Sequence, residues 1–555
     1  MKKEIIKVLA KNLKNLKVNE EEIEKKLEIP YFLEYGDYAF PCYILAAKLK
    51  KSPVEIAEEL AKKLEGKIKG IKEIKAINGY LNFYIDENKN AEKIINQILK
   101  EKEKYGYGGE KGKIALEHTS LNPNSSPHVG RARNSIIGDS LKRILEFKGF
   151  NVETYYYVND VSKQIAMMAL DFKGKETFKD LLNLYIKINQ KIEENPELEK
   201  KVFDLLEKFE KGNKEVRKKF RKIVDIAVKG QRKILEEFGI KFDKFDYESS
   251  YIKDSKKILD EFKKTGRLFM DEQGRFVLNE ENYGLEKKMK TPVLVLARSN
   301  GTGLYPLRDI AYTLDKINRC EKTYIVLGED QKLYFEQIKV ALKILNKPSP
   351  EVIHYSYVLI EENGEASKMS TRKGDVVLLE DFMKEAVEKA KQEIKKRKTY
   401  GDAKKIGYSA VKYAIIKNDP NRNIIFNWEN ALSFEGNSGP YLQYSYARAS
   451  SILKKIKSKV KKIKIENLNK YEINLVKKLQ DFPSVVNQAY NHLNPSLIAN
   501  YSFELCQIFN EFYHSCPVIN AEKTDKEKRI ALVEAFRIVI KISLNLLGIE
   551  VMEEM

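Results

Sequence analysis

Residues 112–158 read GKIALEHTSLNPNSSPHVGRARNSIIGDSLKRILEFKGFNVETYYYV, and this stretch decides the fold. GKIALEHTS reads as a buried strand, with an acid, Glu117, directly after the apolar run IAL. LNPNSSP is a polar, proline-bounded loop. Beyond it Ile137, Leu141, Ile144 and Leu145 recur at helical spacing, which predicts a helix starting near His128 and closed by Gly149. VETYYYV is the next strand. Strand, loop, helix and strand in that order open a doubly wound nucleotide-binding fold.

The α/β rhythm returns at TPVLVLA (291–297), in a helix after Asp309, at TYIVLG (323–328) and at HYSYVLI (354–360). Between the two halves, residues from about 170 to 290 form Lys/Glu-rich helical segments, an insertion rather than sheet. Upstream, residues 1–108 look like a small α+β unit. Pro53 opens a helix carrying Val54, Ile56, Leu60 and Leu64 on or near one face, and YLNFYI (80–85) is a strand. GYGGEKGK (106–113) is a linker. From about 405 the pattern is helical to the end. The expected division is therefore 1–108, 109–404 and 405–555.

The chain has 555 residues, with 43% apolar and 10% aromatic side chains, which excludes a disordered protein. Its formal charge is +20, from 101 Lys plus Arg against 81 Asp plus Glu. That excess suits a polyanionic partner, although a Lys/Glu-rich surface also occurs in heat-adapted proteins. Cys42, Cys320, Cys506 and Cys516 form no CxxC and no Cys/His cluster, so neither a disulfide framework nor a zinc site is expected and the metal set is empty. There is no signal-peptide core and no membrane-length apolar run, which predicts a cytoplasmic protein with no membrane partner.

Two stretches carry chemistry. In SLNPNSSPHVGRARN (120–134) the unpaired N–H groups of a helix N-terminus suit a phosphate. His128 donates to phosphate oxygens there, and Gly130 lets an adenine approach the backbone. In SKMSTRKGDVVLLEDF (367–382), Lys368, Arg372 and Lys373 concentrate positive charge in a loop able to close on a triphosphate and stabilise departing pyrophosphate. Alone, each has a blander reading, a packed histidine and a solvated basic loop. No GxxxxGK[ST] and no GxGxxG is present.

In this order on an α/β frame, the two stretches resemble the HIGH and KMSKS signatures of class I aminoacyl-tRNA synthetases. EHTSLNPNSSPHVGRARNSIIGDSLKRILEFKG, YVNDVSKQ, LYPLRDIAYTLDK, KMSTRKG and FNWENALSFEGNSGPYLQYSYARASSIL are similar to stretches of the arginyl-tRNA synthetase family. So are FNEFYHSCPVI, EAFRIVIKISLNLLGIE and, near the N-terminus, GDYAFPCYILAAKLKKSPVEIAEELA. The resemblance spans almost the whole chain apart from the insertion. It implies a multidomain protein: a Rossmann-like, doubly wound parallel-sheet catalytic core, a small α+β N-terminal domain and an all-α C-terminal anticodon-binding domain. It implies an arginine–tRNA ligase that uses ATP with Mg²⁺ as co-substrate, acts on L-arginine and tRNA(Arg), works as a monomer, and often needs bound tRNA for the first step.

Carried over residue by residue, the resemblance assigns His128, Gly130, Arg131, Lys368, Arg372 and Lys373 to catalysis. Pro127, His128, Gly130, Lys368, Met369 and Ser370 fall to ATP. Glu117, Asn122, Tyr305, Asp309, Gln164, Asp330 and Gln331 fall to arginine. Physically, a guanidinium presents five donors in a planar fork and calls for carboxylates, which Glu117 and Asp309 supply. Cysteinyl and glutamyl synthetases fit less well, since the first needs zinc-binding cysteines and the second a basic pocket. The rival of another class is a catalytically dead RNA-binding paralogue. The chain also departs from the family pattern: Arg131 stands for the second His of HIGH, Thr371 for the second Lys of KMSKS, Ser162 for a common Gly, and EAFR for DALR. For RNA, KKIKSKVKKIK (454–464) brings seven lysines and no acid. Tyr441, Tyr444, Tyr446 and Trp428 read mostly as core, with stacking on unpaired bases as the alternative.

Overall fold

The computed structural model describes residues 1–362, 365–367, 377–456 and 462–555. The run after Gly112 forms a strand, β1 (Lys113–Glu117), whose Ile114, Ala115 and Leu116 are fully buried. It is the middle strand of a five-stranded parallel sheet with β2 (Asn151–Val158), β3 (Lys244–Tyr247), β4 (Lys322–Gly328) and β5 (Glu351–Tyr355). The spatial order is β5-β4-β1-β2-β3. Strand order reverses between β1 and β4, so a ligand crevice opens at their carboxyl ends. Helix α1 (Val129–Phe147) links β1 to β2 and packs Ile137, Leu141 and Leu145 against Ile114, Leu116, Val152 and Val326.

Several expectations are corrected. TPVLVLA does not join this sheet: Val293–Ala297 pairs antiparallel with Phe276–Asn279 in a separate three-stranded sheet. An apolar run reports that a strand is covered, not which sheet covers it. HYSYVLI is two strands. At Ser356 the backbone leaves β5, its N–H donating to the Pro420 carbonyl. A second strand, Val358–Glu362, then pairs parallel with Ile424–Phe426, a short strand inside the region expected to be helical throughout. The insertion is helical over Phe178–Glu194, Glu197–Glu210 and Lys214–Glu237, but then returns β3 to the edge of the core sheet. Asp309 lies inside its helix rather than before it, because that helix (α3, Tyr305–Arg319) starts at Tyr305 with Pro306 in its first turn. Helix α2 (Lys163–Asp171) is capped by Ser162, whose hydroxyl accepts from the Ile165 N–H at 3.4 Å, a capping role that glycine lacks.

The chain divides into two compact units. One holds residues 1–105 with 452–480 and 508–538; the other holds 106–451, 481–507 and 539–555. The first contains an antiparallel sheet of Tyr38–Pro41, Tyr80–Ile85 and Ile71–Ile77. Helix Pro53–Leu64 covers its own part of that core, opened by Pro53 and a reciprocal Ser52/Glu55 capping box. Helix Glu87–Glu101 is tied to the later segments of the same unit. Asn90 donates to Gln480 at 2.8 Å, Asn96 to the Ile463 carbonyl at 2.8 Å, and the Tyr105 hydroxyl to the Leu479 carbonyl at 3.2 Å.

Candidate active site

At the end of β1 the backbone turns through Thr119 (φ 75°) and Ser120 (φ 42°), a left-handed conformation disfavoured for a β-branched residue. Side chains of α1 hold it there. Asn134 accepts from the Thr119 N–H at 2.8 Å and donates to the Val326 carbonyl of β4 at 3.0 Å. The loop that follows is fixed by Gln231 on helix Lys214–Glu237, which donates to the Asn122 and Ser125 carbonyls, each at 2.9 Å.

This loop and the start of α1 enclose a cavity of about 230 Å³. Asn122, Pro127, His128, Arg131, Gln164 and Gln231 are among its lining residues. Ser126 Oγ, His128 Nδ1 and Gln164 Oε1 are buried there with no hydrogen-bond partner among the described residues. Buried polar atoms are seldom left unpaired, so three around one cavity mark a place for a polar ligand. Gly130 lies in the first turn of α1. Burial, with the neighbouring Arg131 charge, pushes the His128 imidazole down to about 4, so it is neutral at physiological pH. Burial opposes the Arg131 charge too, but the Tyr355 hydroxyl and Asp330 carboxylate keep its pKa above the ordinary guanidinium value.

Lys368, Met369, Ser370, Thr371, Arg372 and Lys373 lie outside the described residues, as does the middle of the 454–464 lysine run. The backbone after the first of these stretches is anchored on both sides of His128: Val129 N–H donates to the Val377 carbonyl at 3.1 Å, and Leu379 N–H to the Pro127 carbonyl at 2.7 Å.

The carboxylates gather beside the cavity rather than in its lining. Glu117 (6% exposed) is ion-paired with Lys316 (1% exposed) of α3 and accepts from Ser120 Oγ at 3.2 Å. The Lys316 ammonium also lies 4.0 Å from the Tyr312 ring centre, and Tyr312 stacks on Tyr157 at 4.3 Å. Asp309, two turns before Lys316 on α3, accepts from the Tyr334 hydroxyl at 2.9 Å. Burial pushes its carboxyl up to about 6; Lys316 works against that shift and Glu117 adds to it. Glu117 and Asp309 thus share one lysine. Tyr305 packs its ring against Tyr334 at 4.9 Å and is otherwise half exposed, and burial pushes its hydroxyl up to about 12. Asp330 and Gln331 follow β4 and bond to each other at 3.2 Å.

Lys316, Tyr334, Tyr157 and Gln231 were not singled out from the sequence. Helical spacing alone places Lys316 on the face of Asp309, but nothing in TLDKIN distinguishes a buried lysine from a solvated one. Two of the aromatic residues named beyond 405 belong to packing. Tyr446 is fully buried, with its hydroxyl on Glu553 at 2.7 Å, and Trp428 packs on Phe382 and Phe426. Among the described residues no group of three or more His, Cys, Asp or Glu is arranged to hold a metal ion, and no helix is long and apolar enough to cross a membrane.

Comparison with known proteins identifies the family. Residues 94–428 match the class I tRNA synthetase (R) catalytic domain, residues 442–555 the DALR anticodon binding domain, and residues 3–85 the arginyl tRNA synthetase N terminal domain. The chain is 42% identical over 552 residues to the arginine–tRNA ligase of Methanocaldococcus jannaschii, covering 95% of each chain. It is 37% identical over 542 residues to that of Methanosarcina acetivorans, covering 92% of each. Its fold is similar to Thermus thermophilus arginyl-tRNA synthetase, with a TM-score of 0.81, 25% identity and 100% of both chains covered. In its N-terminal, catalytic and C-terminal segments alike, the chain belongs to the arginyl-tRNA synthetase family of class I aminoacyl-tRNA synthetases.

Proposed function

We propose that the protein is an arginine–tRNA ligase that activates L-arginine with ATP·Mg²⁺ and transfers it to the 3′ end of tRNA(Arg), in the cytoplasm and as a monomer. One observation carries this reading: two buried carboxylates, Glu117 and Asp309, stand with a single internal ammonium at the strand-order reversal of the sheet. Those three groups are one positive charge short of neutrality, and a guanidinium supplies it.

In this reading Glu117, Asp309 and Tyr305 take the guanidinium end of arginine. Asn122 and Gln164 take its amino and carboxylate end, with Asp330 and Gln331 close by. ATP lies over the start of α1, with Pro127 and Gly130 against the adenine side and neutral His128 donating to a phosphate. The arginine carboxylate attacks the α-phosphate in line, giving arginyl-adenylate and pyrophosphate. Arg131, with Lys368, Arg372 and Lys373 from the loop whose backbone exit is bonded beside His128, offsets the charge that develops on pyrophosphate. Met369 and Ser370 of that loop complete the ATP contacts, and the terminal 2′-hydroxyl of tRNA then attacks the mixed anhydride. A buried acid left without its guanidinium is costly, so an uncharged analogue such as citrulline is rejected without editing.

The test is ATP–pyrophosphate exchange with arginine, citrulline and other amino acids, with and without tRNA(Arg). Arginine-dependent exchange supports the reading. Exchange driven by a different amino acid overturns the assignment, and no exchange under any condition favours an RNA-binding paralogue.

A further inference from the structure

We propose that Lys316 is a positioning residue that sets the charge of the arginine pocket, pinning Glu117 and limiting the pocket to one unbalanced negative charge. This rests on reading Glu117 and Asp309 as the partners of the guanidinium. Burying an ammonium is costly unless its partners are well placed. Lys316 is 1% exposed and meets two of them, the Glu117 carboxylate and the Tyr312 ring face at 4.0 Å. It projects from the same helix as Asp309, so one rigid element carries both a substrate-facing acid and the counter-charge of the other acid.

The surroundings add two neutral hydroxyls and one ion-pair network. From β2 comes Tyr157, and from the helix Lys332–Ile344 comes Tyr334; burial raises the pKa of both hydroxyls, so both are neutral. Arg308, next to Asp309, is paired with Glu248 at 2.6 Å and with Glu210 at 3.5 Å, and Glu210 also pairs with Arg298. These four charges balance while Glu248 is ionised, but burial pushes the Glu248 carboxyl up to about 7, so the network gains positive charge below that pH whether or not Lys316 is present. The part of the balance that changes on removing Lys316 is thus set by Glu117, Asp309 and Lys316, with the Glu248 titration common to every variant. Without Lys316 two carboxylates face one pocket, and like charges that close share a proton. Arginine then has to expel that proton in order to bind.

The test is the arginine KM in pyrophosphate exchange from pH 5.5 to 9 for the wild type, Lys316→Met and Lys316→Arg, with the ATP KM measured alongside. For Lys316→Met the acid limb of the arginine KM is expected to move up by about one pH unit or more, the size of shift a close like charge produces. At pH 9, with both acids ionised, its KM is expected to equal the wild-type value or fall below it, while Lys316→Arg keeps the wild-type profile. An unchanged profile, an equal rise in KM at every pH, or a matching rise in the ATP KM overturns the proposal, since each marks packing rather than charge.

Should Lys316→Met fail to fold, Glu117→Gln with and without Lys316→Met answers the same question. Glu117→Gln leaves Lys316 facing Asp309 in a pocket with no net charge. Adding Lys316→Met restores one negative charge, and arginine affinity is expected to recover by about tenfold, the equivalent of one pKa unit of interaction. No recovery overturns the proposal. Absence of arginine-dependent exchange in the wild type would instead overturn the assignment of function, so the two failures are distinguishable.

Discussion

Gly138 of α1 lies against the imidazole of His118, so near that a Cβ on it would stand 2.2 Å from the His118 Cγ and 2.5 Å from Nδ1. His118 is itself held, its Nδ1 2.8 Å from the Thr119 hydroxyl and its pKa pushed down by burial to about 4. In an open helix, replacing glycine by alanine stabilises by about 1 kcal/mol. Here the sign reverses. Gly138→Ala is expected to lower stability by about 1–3 kcal/mol, the usual result of overfilling a packed site. Because α1 moves with it, the ATP KM is expected to rise. Urea denaturation and exchange kinetics check both; a stabilised variant would refute the close approach.

Arg133 is fully buried and spends its guanidinium on backbone carbonyls: those of Ser356 at 2.8 Å and Arg422 at 2.7 Å from Nη1, and that of Asp419 at 3.0 Å from Nη2. It thereby fastens α1 to the turn where the chain leaves β5. Arg133→Met orphans these neutral carbonyls, and a loss of at least about 3 kcal/mol is expected, at about 1–3 kcal/mol for each buried acceptor left unpaired. Thermal and denaturant unfolding measure it.

Asp309→Asn is expected to raise the arginine KM roughly ten- to a hundredfold, corresponding to one charge-assisted hydrogen bond. It also changes the pH profile. In the free protein the Asp309 carboxyl is pushed up to about 6, so below that pH it holds a proton that arginine displaces. Wild-type arginine KM therefore rises as pH falls through 6, and the variant lacks that limb. Arginine KM measured between pH 5 and 8 in both proteins decides the matter.

His128 titrates near 4 and is neutral throughout the working range. No His128 limb is expected in kcat/KM for ATP between about pH 5.5 and 8, since that ratio reports the free protein. His128→Ala removes a donor aimed at a phosphate and is expected to lower kcat about a hundred- to a thousandfold. A His128-dependent limb near pH 6.5 would contradict the neutral imidazole.

The legible part of the fold was the part where one pattern has one meaning. An apolar run, a polar proline-bounded loop and a 3.6-residue period set β1, α1 and β2 in order. The edge strand Lys244–Tyr247 was missed because its four half-buried residues, KFDY, carry no period at all. Val293–Ala297 was misplaced because pairing partners are a non-local property. In the site, Asn122, Pro127, His128, Arg131 and Gln164 were named from sequence and line one cavity. Gln231 escaped notice because a polar residue among Phe220, Val224 and Ala227 on a helix face gives no sign of which carbonyls it will meet. Lys316 escaped because burial decides the meaning of a lysine, and burial is settled by the whole fold.

Asn90 and its partner Gln480 lie 390 positions apart in the chain, so the helix Glu87–Glu101 is finished at the ribosome long before the segment that satisfies it exists. At roughly 5–20 residues per second, that interval is on the order of 20–80 s of translation. Asn90, Asn96 and the Tyr105 hydroxyl wait in water for most of the protein's synthesis. The helix Glu87–Glu101 therefore gains these bonds only late in synthesis, and a nascent chain stalled before residue 480 has every strand of the five-stranded sheet but no partner yet for Asn90.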